Sequence, residues 1–92
     1  MILSYPEINK VMLPLIIQGV VINKKDNKQV RFTHVYIEKS GEESLTTTEG
    51  EFKLLSWQQF PVTLIVKHIH FDIVRLVITS ASQGILIFLK EK

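Results

Sequence analysis

Thr46-Thr47-Thr48-Glu49-Gly50-Glu51-Phe52 is a β-leaning run that meets a glycine and restarts on an aromatic residue. Gly50 is free to take positive φ, and Thr and Phe favour pleated, half-buried strands. The segment therefore predicts the centre of a hairpin, with strands over Leu45–Thr48 and Glu51–Leu55. Working outward, Ser40-Gly41-Glu42-Glu43 is turn chemistry. Before it, Arg31 to Lys39 alternates so that Val35 and Ile37 share one face, the face expected in a core. On the other side, Ser56 to Phe60 is a connection carrying Trp57, and Pro61 opens a strand over Val62–His68.

The remaining strands follow from the same pattern. Leu15 to Asn23 is nearly all apolar and β-branched, and Gly19 within it marks a bulge or a close approach of another backbone. Lys24-Lys25-Asp26-Asn27-Lys28-Gln29 is a polar turn. His70-Phe71-Asp72 marks a bend or bulge. Ile73–Thr79 is a sixth strand with Val74, Leu76 and Ile78 on one face, Ser80 to Gly84 a turn, and Ile85–Lys90 a seventh strand. Short strands at such regular spacing, with no helical period between them, predict a β-sandwich.

Composition agrees and narrows the function. At 92 residues the chain holds one domain. A chain of this size buries only about 60–65% of its unfolded surface, so most apolar residues must serve its core. A 46% hydrophobic content supplies them. Residues 1–14, with Pro6 and Pro14, read as a linker or a lead-in that docks on the domain edge, and residues 15–92 as the domain. With no cysteine there is no disulfide, thiolate metal site or Cys nucleophile. Val11 to Ile17 is too short to span a bilayer, and no cleavage site follows it, so it reads as neither signal peptide nor transmembrane helix. The net charge of +2 gathers at Lys24, Lys25, Lys28 and Arg31, a solvated loop without the Arg-and-aromatic stripe that grips nucleic acid.

No catalytic constellation emerges. No Ser lies in a nucleophile elbow, and the Glu residues near Gly50 lack the spacing of a Ca²⁺ loop or of paired acid–base carboxylates. The expectation is that the chain is not an enzyme and carries no cofactor. His34, His68 and His70 offer three imidazoles, the ligand set of some zinc sites, but surface histidines are the simpler reading because no carboxylate is placed to orient the rings. Trp57, Gln58 and Gln59 pair an aromatic face with hydrogen-bonding amides, which suits sugar stacking. The competing reading has Trp57 cap one end of a thin core. Phe32 and Tyr36, on the outward side of the second strand, extend an apolar patch or lie under the N-terminal segment.

Four blocks also bear a resemblance: Ile17-Gln18-Gly19-Val20-Val21, Val30–Ile37, Thr46–Phe52, and Val62–Val66 with Ile69 and Phe71. In order and spacing the chain resembles the carboxypeptidase regulatory-like domain, found in metallocarboxypeptidases and at the N-terminus of TonB-dependent receptors. It departs from that pattern at Arg31, at His70 and Phe71, and at Trp57 to Phe60. The resemblance implies an all-β, seven-stranded antiparallel β-sandwich, a transthyretin-like (prealbumin-like) Greek key. It brings no catalytic residues. It implies a non-catalytic accessory or protein-interaction module of a bacterial cell-envelope protein, periplasmic or at the cell surface, whose partner is a neighbouring domain or another envelope protein. A glycan is the alternative ligand, and an exposed edge strand makes an edge-to-edge dimer a further expectation.

Overall fold

The computed structural model describes residues 14–80 and 82–92, so most of the proposed lead-in lies outside the described residues. The described residues form seven strands and no helix: β1 (Leu15–Asn23), β2 (His34–Ile37), β3 (Glu43–Leu45), β4 (Glu51–Ser56), β5 (Val62–His68), β6 (Phe71–Ile78) and β7 (Ser82–Leu89). They form two sheets, β4-β1-β7 and β3-β2-β5-β6. The apolar positions of alternate residues meet between them: Ile17 and Val21, Val35 and Ile37, Phe52 and Leu54, Val62, Leu64 and Val66, Phe71, Ile87 and Leu89. This is the β-sandwich that the alternation predicts.

The Gly50 turn closes as a hairpin does. The Gly50 amide donates to the Thr47 carbonyl and the Thr47 amide to Glu51, both at 2.9 Å. The strands beside it do not pair with each other. β3 lies in one sheet and β4 in the other, so the turn is a corner between layers and not the hairpin expected. The expected strand over Leu45–Thr48 lies instead at Glu43–Leu45. Thr46 leaves it to bind inward: its hydroxyl donates to the Val30 carbonyl and accepts the Thr33 amide, both at 2.8 Å. Gly50 itself has φ +75°, and a Cβ there would lie 2.8 Å from the Val21 carbonyl oxygen, so no other residue fits without strain.

A second correction concerns direction. β1 and β4 are antiparallel, but β1 and β7 are parallel, so the sandwich is mixed. A parallel pair cannot be joined by a tight turn, and here every other strand lies between its two members. The pair carries a bulge. Its register shifts between Ile17 and Gly19, where Gly84 takes φ +79°. A Cβ on Gly19 would lie 2.1 Å from the Ile85 carbonyl oxygen, which is the close approach anticipated at that glycine.

Other boundaries also move. β2 is shorter than its alternation, because Phe32 sits at φ +57° and the chain turns there. β6 begins at Phe71, and its consecutive exposed residues Asp72 and Ile73 oppose one residue of β5, the bulge expected near there. β7 starts at Ser82, inside the expected turn, because pairing to β1 holds it extended.

Candidate docking face

Strand parity assigns the outer faces of the two sheets, and their chemistry differs. On β3-β2-β5-β6 the outward side chains are mixed: Leu45, Ile73 and Val77 are exposed there, Ile65 is buried, and the charged groups between them are paired. The His34 ring meets Glu43 at 2.6 Å and tilts against Tyr36 at 4.8 Å. The Lys67 ammonium lies 5.8 Å from the Tyr36 ring centre, and Arg75 is ion-paired with Glu38. The charged groups of this face thus neutralise one another, and its exposed apolar side chains lie on the two edge strands, β3 and β6.

The outer face of β4-β1-β7 is largely apolar. Register sets Ile16 of β1 against Leu55 of β4, Val20 against Leu86 of β7, and Ile22 against Phe88. The three β1 residues are half-buried by these neighbours. Leu55 is 50% exposed, Leu86 57% and Phe88 48%. Trp57, two residues past Leu55 and just beyond the end of β4, is 62% exposed. Gln18, Glu51 and Lys53 supply the polar positions. Leu86 and Phe88 thus cluster at one end of the face and Leu55 and Trp57 at the other.

Exposure of Trp57 overturns the reading in which it caps the core. Its neighbours divide. Gln59 is exposed, but Gln58 is half-buried and donates its side-chain amide to the Lys39 carbonyl at 3.1 Å. The backbone amide of Gln58 is held by the Ser56 hydroxyl at 3.0 Å. Of the three proposed ligand residues, Trp57 and Gln59 face solvent, while Gln58 braces the loop. Phe32 is exposed at the start of the opposite layer, with the Arg31 guanidinium 5.6 Å from its ring centre.

His68 and His70 are neighbours, but His34 is not brought to them. His34 points out of its sheet, whereas His68 shares the inward parity of Val62, Leu64 and Val66. His70 lies in the turn after β5, its ring 5.6 Å from that of His68, whose Nδ1 accepts the His70 amide at 3.1 Å. Among the described residues no group of three His, Cys, Asp or Glu side chains is placed to hold a metal ion. Burial, aided by the neighbouring His70, pushes the His68 imidazole below its ordinary pKa. The Glu42 carboxyl is held below its ordinary value by the Ser40 hydroxyl first and the Ser56 hydroxyl second.

An open groove lies beside Gln18, Val20, Leu45, Thr47, Glu51 and Lys53. Comparison with protein-family models and with curated proteins returns no match to this chain.

Proposed function

We propose that the chain is a non-catalytic interaction module that docks a neighbouring domain or a partner protein against the outer face of β4-β1-β7. The observation that carries this is the set of apolar pairs across that face. Ile16 lies against Leu55 at one end, with exposed Trp57 following β4, and Val20 and Ile22 lie against Leu86 and Phe88 at the other, with Gln18, Lys53 and Glu51 between them. Burying such a face is the main source of free energy available to a protein with no site chemistry. The order of sequence blocks supports a carboxypeptidase regulatory-like domain with transthyretin-like Greek-key topology, and with it a setting in the bacterial cell envelope. Seven strands in two sheets are compatible with that assignment.

The test is capture from an envelope fraction by cross-linking, with identification of the bound protein. Leu86→Lys with Phe88→Lys places charge on exposed positions of the face and is expected to abolish capture while the fold survives. Capture that is unchanged by the double substitution removes this face from the function.

Carbohydrate binding is a second reading, favoured by the solvent-facing pair Trp57 and Gln59. It expects glycan titration to quench Trp57 emission and Trp57→Ala to remove glycan binding measured by calorimetry. A glycan panel without any response rejects it.

A further inference from the structure

β6 is an edge strand, hydrogen-bonded to β5 on one side. On its other side the C-terminal residues occupy only the beginning. Phe71 bridges Glu91, the Asp72 amide donates to the Lys90 carbonyl at 2.8 Å, and the Lys92 amide donates to the His70 carbonyl at 3.1 Å. From Ile73 to Thr79 the strand has no further partner among the described residues. Edge strands in monomers are usually blunted by Lys, Pro or shortness. β6 is eight residues long, has neither Lys nor Pro, and bulges only at its start. Its inward row, Val74, Leu76 and Ile78, is only half-buried, since this four-stranded sheet overhangs a three-stranded one. Ile73 and Val77 point outward and are exposed.

We propose that two copies of this chain pair β6 to β6, antiparallel, about a two-fold axis through Leu76. Charge and space select that register. In an isologous pair, same-face residues oppose each other only when the axis passes through a residue. An axis at Arg75 sets two guanidinium groups against each other and drives Thr79 of one copy onto Phe71 of the other, where Glu91 already sits. An axis at Val74 collides with the C-terminal residues still further. An axis at Val77 loses Ile73 from the ladder. With the axis at Leu76, Val74 meets Ile78, Leu76 meets itself, Arg75 meets Val77, and Ile73 meets Thr79. The ladder ends where Lys90 to Lys92 begins, so the free segment of one copy fills the free segment of the other. The half-buried row of each copy then continues into that of the second, and the two sheets become one. The second copy is favoured over a foreign strand because the single charge of the segment, Arg75, has an apolar neighbour in this register and already holds Glu38 as its counter-ion.

Sedimentation equilibrium of the full chain, from micromolar to millimolar, tests this together with two substitutions at Val77, which is 66% exposed. Val77→Glu places carboxylates opposite Arg75 of the second copy at two symmetric sites and is expected to tighten the dimer about fivefold. Val77→Lys places like charges there and is expected to weaken it about tenfold. As an independent readout, Leu76→Cys in this otherwise cysteine-free chain is expected to form a disulfide-linked dimer on oxidation, and Val74→Cys is not. A chain that stays monomeric throughout overturns the proposal. So does a dimer weakened alike by both Val77 substitutions, or one disrupted instead by Leu86→Lys on the other sheet.

Discussion

Thr46 does more for this fold than its place in a threonine run suggests. It is fully buried, and its hydroxyl satisfies both the Thr33 amide and the Val30 carbonyl. Thr46→Val keeps the shape and removes both bonds, so it is expected to lower unfolding free energy by about 1–3 kcal/mol in a urea titration. Phe32 shows the opposite situation, a β-favouring aromatic held at φ +57° while largely exposed. Since left-handed backbone costs a non-glycine residue about 1–2 kcal/mol, Phe32→Gly is expected to raise the thermal midpoint despite the entropy a glycine adds to the unfolded chain. His68 sets a pH dependence. Its folded pKa is depressed, so as pH falls below about 6.5 the unfolded chain takes up the proton first. Stability is therefore complete above that pH, declines until the folded-state value is passed, and then levels off. Melting curves between neutral and mildly acid pH are expected to show this slope, and His68→Asn to flatten it.

At the scale of elements, the β1–β7 pair is where the design is least tolerant. Gly19 lies against the Ile85 carbonyl with no room for a methyl group. Gly19→Ala is expected to destabilise by at least about 2 kcal/mol and to raise hydrogen exchange in β7 more than in β5, which has partners on both sides. Equal loosening of both sheets would place the strain elsewhere. β1 and β5 were located from sequence to the residue, because each is long and bounded by turn chemistry. β3 was misplaced, because three threonines in a row look like strand whether they ladder or, as Thr46 does, bind inward. The ends of β2 and β6 were misjudged for a related reason: a positive φ at Phe32 and a bulge at Asp72 break the alternation without leaving a glycine to mark them.

At the scale of the molecule, the exposed Trp57 is the simplest handle. Its emission is expected to be red-shifted and open to a soluble quencher in the isolated chain, and to shift blue when a partner covers the β4-β1-β7 face. Blue, protected emission from the isolated monomer would mean that the face is already covered. That face was partly legible in advance. Leu15 to Ile22, apart from Gln18, and Ile85 to Leu89 are apolar on both parities, which is the mark of strands covered on both sides, and Leu54-Leu55 repeats it. Alternation and turn chemistry determined the fold class, the inward residues and the roles of Gly19 and Gly50, since these depend on local backbone geometry and a period of two. Which strands share a sheet, that β1 and β7 run parallel, that the Gly50 turn joins layers, and that Trp57 faces water were decided only by tertiary structure. They depend on pairings between residues far apart in the chain, and nothing in a strand's own residues says which partner will lie beside it.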